Sequence, residues 1–244
     1  ACVSSQVGCS LDCKFCATSQ LDRMRNLNVD EIFDQVVAID QQSKTYFNIP
    51  LSNIVFMGMG EPLMNYNNVL GAIEKITSPE GLGMASKRIT LSTSGIPKLI
   101  RKMADDGVKF NLAVSLHSAI QETREKIMPF SKKFPVEDLL SSLEYWYEAT
   151  QKMVTIEFIV WKGINDNLDE VRALINFCRK FQSKVNLIEY NPIGDDTFEQ
   201  ASKEAMSMYQ KKLTSARITN TIRRSRGKDI DAACGQLANK AHKN

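Results

Sequence analysis

Histidine is scarce in this 244-residue sequence; there are two, His117 and His242, and the second lies in the terminal tail. A zinc site built from paired cysteines and histidines is therefore poorly supplied. No apolar run approaches the ~18 residues of a membrane span, and no basic-then-apolar segment opens the chain. No membrane partner is expected, and the cytoplasm is the default compartment. Neither sign of charge prevails: 31 Lys and Arg against 28 Asp and Glu leave a net +3. The pI of about 8.5 falls below the value of ~9 that would by itself suggest nucleic-acid binding. The local runs Lys87-Arg88, Lys132-Lys133 and especially Arg223, Arg224, Arg226 and Lys228 could still neutralise phosphates. Internal repeats and low-complexity linkers are absent too. A length of 244 residues allows one large domain or two small ones, at ~100–200 residues each, and a monomer is expected.

What is present is a regular alternation. Six short apolar or alternating runs read as strands: "CVSSQV", "NIVFMG", "RITLSTS", "FNLAVSLH", "VTIEFIV" and "VNLIEYN". Amphipathic stretches lie between them. Val136, Leu139, Leu140, Leu143 and Tyr147 share one helical face, as do Val171, Leu174, Ile175, Cys178 and Phe181. Alternating strands and helices imply an α/β fold with a parallel sheet and crossover helices. A full eight-unit barrel takes ~250 residues, roughly 31 per unit. Six units plus a tail from about Ile218 fit this chain better, so the expectation is an open, partial (β/α)6 TIM-like barrel over 1–217 with a C-terminal extension over 218–244. A flavodoxin-like open sheet is the alternative. Turns are expected at Pro79-Glu80-Gly81, at "GINDN" after the fifth strand, and from Asn191-Pro192 to Asp196.

Ligands of parallel α/β folds bind at the carboxyl ends of strands. Polar residues gather there: Gly58, Gly60 and Glu61 after the second strand, Ser92, Thr93 and Ser94 after the third, Ser115 and His117 after the fourth, and Asn191 after the sixth. The stretch "GCSLDCKFCAT" holds half of the six cysteines within eight positions. An even cysteine count permits disulfides, but a reducing compartment argues against structural ones. Cys9, Cys13 and Cys16 follow a C-x3-C-x2-C spacing, one ligand short of a closed metal site. A four-iron, four-sulfur cluster is usually held by four thiolates; three would leave one iron open to a ligand, which makes the cluster a reaction centre. Zinc and three inert cysteines are the bland readings.

That motif, with Phe15 before its last cysteine and in the loop after the first strand, resembles the radical S-adenosylmethionine superfamily. "GMGEP" resembles its glycine-rich segment against the methionine amino group. Further segments, "CVSSQVGC", "RNL", "MGMGEPLMN", "LSTSG", "SLH", "MPFSKKFP", "EYNP" and "RGKDIDAACGQL", resemble the dual-specificity ribosomal and transfer RNA adenine-2-methyltransferase family. Its relative that methylates carbon 8 of the same ribosomal adenine shares the cysteines but differs where this chain reads "GEPL" and "RRSRG". The carbon 8 activity and a zinc-stabilised RNA-binding module remain the alternatives.

The resemblance implies roles. Cys9, Cys13 and Cys16 would ligate the 4Fe-4S cluster; Gly60, Glu61, Ser92, Ser115, His117 and Asn191 would line the S-adenosylmethionine site. Cys234 would carry a methyl group and Cys2 would resolve the RNA adduct, leaving a disulfide for a reductant to reopen. Two S-adenosylmethionine molecules would be used per turnover, with an external electron donor, on 23S rRNA and on tRNA beside the anticodon. Ala232, Ala233 and Gly235 leave space beside the Cys234 sulfur, and Asp231 could cap a short helix with Cys234 in its first turn. Cys178 reads as core. The chain begins with Ala1 on a strand-like run, and the family's N-terminal accessory domain would lie upstream.

Overall fold

A computed structural model describes residues 1–238 apart from 22, 195, 196, 226, 228, 229 and 231. Arg226, Lys228, Asp231 and His242 of the sequence reading thus lie outside the described residues. In chain order the elements are β1 (Gln6–Val7), β2 (Arg25–Asn26), α1 (Val29–Phe47), β3 (Ile54–Phe56), α2 (Tyr66–Thr77), β4 (Ile89–Thr93), α3 (Pro97–Asp105) and β5 (Asn111–Ser115). They continue with α4 (Gln121–Ile127), α5 (Val136–Thr150), β6 (Val154–Ile159), α6 (Leu168–Cys178), β7 (Ser183–Ile188), α7 (Lys203–Ser215) and β8 (Thr219–Arg223).

Strands β3 to β8 form one parallel sheet in sequence order. Order without reversal is that of a barrel wound one way round, and the flavodoxin-like alternative, whose order reverses, is set aside. The fold is a partial TIM-type barrel. Among the described residues no helix is long and apolar enough to cross a membrane.

Two strand expectations change. The run "CVSSQV" does not form one strand. Ala1 and Val3 pair with Val55 alongside β3, with Val55 N–H donating to Ala1 O and Val3 N–H to Val55 O, both at 2.9 Å. The chain then turns away, and Gln6–Val7 pairs antiparallel with Arg25–Asn26. At the other end, Thr219–Arg223, expected to open the extension, forms β8 against β7. Its residues are exposed or half-buried, so "TNTIR" carries no apolar alternation; its conformation is set by the partner strand.

Helix starts follow local chemistry. Asn28 Oδ1 accepts from Glu31 N–H and Glu31 Oε2 accepts from Asn28 N–H, each at 2.9 Å, a reciprocal capping box that opens α1. Pro97 begins α3, where its missing N–H has no helical partner to lose. Asn167 and Ser202 cap α6 and α7. The expected apolar faces are inward: Val136, Leu139 and Leu143 of α5, and Val171, Leu174 and Cys178 of α6, are buried. All six residues of β6 are buried, as expected of a strand covered on both sides. Side chains alternate along it, so Ile156 and Phe158 join the core under the helices while Glu157 borders the interior cleft.

Candidate active site

A cleft of about 960 Å³, including its open mouth, lies at the carboxyl ends of the strands. Cys9, Cys13, Cys16, Gly60, Glu61, Ser92, Ser115, His117, Asn191 and Cys234 all line it; of the residues given a cluster, cofactor or catalytic role by the resemblance, Cys2 alone does not.

The cysteine loop is built tightly. Gly8 takes φ 76° at its entrance, a conformation that side chains disfavour. Cys16 N–H donates to Cys13 O at 3.2 Å, and Ser19 Oγ donates to Cys16 O at 2.7 Å and to the Cys13 carbonyl. Asp12 Oδ1 accepts from Phe130 N–H at 2.8 Å and Lys14 N–H donates to Ile127 O at 3.1 Å, which bolts the loop to α4 and the turn after it. Phe15 meets His117 edge-on, with ring centroids 4.7 Å apart, and Trp161 at 5.2 Å.

Burial pushes the Cys9 thiol up to about 11 and the Cys13 thiol well above its ordinary value. As free thiols they therefore hold their protons at neutral pH, and a bound cation is what would make them thiolates. Among the described residues no three His, Cys, Asp or Glu side chains are grouped to hold a single metal ion. Three thiols around a shared cleft fit a polynuclear iron-sulfur group, in which each sulfur reaches its own iron.

The glycines serve the protein's own strand. A Cβ on Gly58 would lie 2.6 Å from Ser4 Oγ and 2.8 Å from Ser4 N; one on Gly60, at φ +93°, would lie 2.5 Å from Gln6 Cβ. Glu61 is buried, and its carboxylate is committed. Oε1 accepts from Leu63 N–H at 3.1 Å and Thr93 Oγ at 2.7 Å, and Oε2 from Ser94 N–H at 2.7 Å. Burial raises its pKa and these bonds oppose the rise. Glu61 ties the loop after β3 to the end of β4.

His117 sits at φ 59°. Its Nδ1 accepts from Ile159 N–H at 3.1 Å, so the ring proton is on Nε2. Burial, and then the Arg124 charge, lower its pKa to about 3, and the ring is neutral at neutral pH. Asn165, a residue of the expected turn "GINDN", holds this strand end. Its Nδ2 donates to His117 O at 2.7 Å and Ile159 O at 2.9 Å, while Oδ1 accepts from Trp161 N–H at 2.7 Å.

The C-terminal turn closes the cleft. Asn191 Nδ2 donates to Cys234 O at 3.0 Å and Ser225 Oγ at 2.8 Å, and Asn191 Oδ1 is buried without a protein partner. Ala17 N–H donates to Gly235 O at 2.7 Å, and Thr18 Oγ to Leu237 O at 2.5 Å. The carrier candidate is thus sewn to the residues that follow Cys16. The helix that Asp231 could have capped does not include Cys234: Cys234 to Gln236 form a turn, and Gly235 adopts φ 84° with its α-carbon facing Phe15 O. A left-handed residue ends helical geometry, so Cys234 does not sit in the first turn of a helix. Burial raises the Cys234 pKa, and Arg223 works against that rise.

Cys2, exposed as a residue, bridges to Val55 outside the cleft lining. Burial of its thiol raises the pKa, followed by the charge of Cys234; a bond from Met57 N–H and the charge of Arg223 lower it. The two cysteines are therefore electrostatic neighbours, and both are free thiols.

Sequence reasoning missed Glu157. It is 3% exposed; Oε1 accepts from Asn186 Nδ2 at 2.9 Å, and Oε2 lies 3.9 Å from Arg223 Nη1 with no hydrogen bond. A glutamate inside the apolar run "VTIEFIV" was the available signal, since burying a carboxylate is costly.

A partial barrel whose strand ends surround a three-cysteine loop defines a radical SAM domain, and the radical SAM superfamily model matches residues 3–178. The chain is 68% identical over 241 residues to a probable dual-specificity RNA methyltransferase RlmN of Christiangramia forsetii, covering 99% of this chain and 68% of that one. It is 68% identical over 240 residues to the protein of the same name from Flavobacterium johnsoniae, covering 98% and 69%. The crystal structure of a radical SAM methyltransferase from Sphaerobacter thermophilus superposes with a TM-score of 0.94 at 36% identity, covering 97% of this chain and 69% of that one. The chain belongs to the RlmN family of dual-specificity RNA methyltransferases within the radical SAM superfamily. It is a radical SAM enzyme that methylates RNA, and membership implies a 4Fe-4S cluster and S-adenosylmethionine.

Proposed function

We propose that this chain methylates carbon 2 of adenine in 23S rRNA at the peptidyl transferase centre and in tRNA next to the anticodon, with Cys234 as methyl carrier and Cys2 as resolving thiol. One observation carries the reading: a free cysteine from the C-terminal turn is hydrogen-bonded into the same cleft as the three-cysteine loop.

Carbon 2 of adenine is electrophilic and has no lone pair, so direct polar transfer from a sulfonium is closed to it. A protein thiolate can take the methyl group first. Asn191 fixes the main chain of Cys234 for this role, and Arg223 opposes the rise in pKa that burial imposes on its thiol. Cys9, Cys13 and Cys16 would hold the cluster; when bound, it supplies the electron that opens a carbon-sulfur bond of a second S-adenosylmethionine and so activates the carried methyl. Neutral His117, Ser92, Ser115 and the open Oδ1 of Asn191 offer donors and acceptors to the nucleoside part of that molecule. Once the carried carbon, having given up a hydrogen atom to the deoxyadenosyl fragment, has bonded to carbon 2, the adduct would lose the ring proton to a base and one electron to the oxidised cluster. The Cys2 thiolate then attacks Sγ of Cys234, the carbon–sulfur bond breaks with its electron pair and a proton going to the new methyl carbon, and the resulting Cys2–Cys234 disulfide is reopened by an external reductant.

The test is mass analysis of nucleosides from rRNA and tRNA treated with anaerobically reconstituted protein and a one-electron donor. The expected product is 2-methyladenosine from the wild type and none from Cys234→Ala, which still binds the cluster and cleaves S-adenosylmethionine. 8-Methyladenosine, or an unimpaired Cys234→Ala variant, overturns the reading.

A further inference from the structure

Three carbonyls around the carrier cysteine are taken by donors far away in sequence. Asn191 Nδ2, just beyond β7, donates to Cys234 O at 3.0 Å. Ala17 N–H donates to Gly235 O at 2.7 Å, and Thr18 Oγ donates to Leu237 O at 2.5 Å. These last two donors sit in a short 3-10 turn (Ala17–Gln20) that starts directly after Cys16. On the other side of Cys16, a Cβ added to Gly235, at φ 84°, would lie 3.2 Å from Phe15 O. The C-terminal turn therefore rests on the cysteine loop both before and after its last cysteine.

Of the two loop donors, Ala17 uses its main chain, which any residue but proline supplies. Thr18 uses a hydroxyl that the sequence had to provide. It is 3% exposed, and a buried hydroxyl requires a partner; its partner is a carbonyl 219 positions along the chain. The platform beneath that bond is stiff. Ser19 N–H and Ser19 Oγ both donate to Cys16 O, at 3.1 and 2.7 Å, and Leu21 N–H donates to Thr18 O at 3.2 Å. Transfer between two groups is efficient only when they are held close in a fixed geometry, so a methyl carrier needs its main chain fixed relative to the loop that would hold the cluster.

We propose that Thr18 is a positioning residue for methyl transfer: its hydroxyl docks the C-terminal turn on the three-cysteine loop and so sets where Cys234 stands in the cleft. It acts through the main chain of Leu237, with Gly235 providing the close approach that lets the turn lie flat on the loop. The inference rests on the reading of Cys234 as methyl carrier.

The experiment compares the reconstituted full chain with Thr18→Val, which keeps the shape and removes the hydroxyl, Thr18→Ser, which restores it, and Gly235→Ala. Two quantities are read: the rate at which iodoacetamide alkylates Cys234 relative to Cys2 before RNA is added, and the methylated nucleoside formed per 5′-deoxyadenosine released. Thr18→Val and Gly235→Ala are expected to raise the first and lower the second by at least about threefold, within what one lost hydrogen bond supplies. Iron content and S-adenosylmethionine affinity should stay at wild-type values, and Thr18→Ser should behave as the wild type. Should Thr18→Val fail to fold, Gly235→Ala and Thr18→Ser decide. Wild-type alkylation and coupling in Thr18→Val, or Thr18→Ser as impaired as Thr18→Val, overturns the proposal, as does a Thr18→Val protein that loses iron while Cys234 keeps its wild-type reactivity. Wild-type protein that methylates RNA without Cys234 would count instead against the carrier assignment, and the alkylation rates would still decide whether Thr18 docks the turn.

Discussion

Gly60→Ala tests how the cleft is held open. The new Cβ would lie 2.5 Å from Gln6 Cβ, 2.6 Å from Cγ and 2.7 Å from Oε1, on a backbone at φ +93°. Gln6 cannot swing aside freely. It is fully buried, and its amide is bonded at both ends, Oε1 accepting from Glu61 N–H at 2.9 Å and Nε2 donating to Asn26 Oδ1 at 2.8 Å. A left-handed conformation costs a non-glycine residue about 1–2 kcal/mol, overpacking about 1–3 kcal/mol, and an orphaned Glu61 N–H about 1–3 kcal/mol. These terms are not strictly additive, so the lower ends, about 3 kcal/mol together, set the expectation. At about 2–4 °C per kcal/mol for a chain of this size, the melting temperature should fall by about 6–12 °C. Circular dichroism melts of wild type and variant measure it, and titration calorimetry with S-adenosylmethionine should show weaker binding. A melting temperature lowered by less than about 2 °C, with binding intact, would refute the packing argument.

Asn165→Ala removes three hydrogen bonds at His117, Ile159 and Trp161 and should cost at least about 3 kcal/mol, read as a shift in urea midpoint; an unchanged midpoint contradicts it. Burial raises the Glu157 pKa above its ordinary 4.5, so the folded state binds that proton more tightly than the unfolded one. The resulting stability is full below 4.5 and is lost as pH rises through the folded value. Glu157→Gln should flatten that decline in unfolding free energy measured from pH 4.5 upward, and an identical slope in both proteins would contradict it. Cys178 is 3% exposed with its thiol pushed up to about 12, whereas Cys2 is exposed. A time course of iodoacetamide treatment at alkaline pH, followed by peptide mass analysis, should modify Cys2 before Cys178, although burial raises the pKa of both thiols; equal rates would place Cys178 outside the core.

The legible parts of the site were those whose residue types make sense only as chemistry. Three cysteines in eight positions cannot be a hydrophobic face, and polar residues closing four apolar runs all fall at one end of a parallel sheet. The parts not legible were decided by tertiary partners. "TNTIR" becomes a strand because β7 offers it a ladder, although none of its residues is fully buried. Arg124 sits in "QETREKI", which reads as a solvated charged helix, and nothing local marks it as a cation turned inward. Asn165 looks like an ordinary turn residue in "GINDN" until His117 and Trp161 are seen beside it. For Cys234, "DAACGQL" suggested a helical start, but the left-handed Gly235 against the cysteine loop selects a turn.

The most direct measurement of the central claim is peptide mass analysis of the reconstituted chain after incubation with S-adenosylmethionine carrying a deuterated methyl group, before RNA is added. The account predicts the labelled methyl on the sulfur of Cys234. Label on another residue, or an unmodified Cys234 in protein that goes on to methylate RNA, would contradict it.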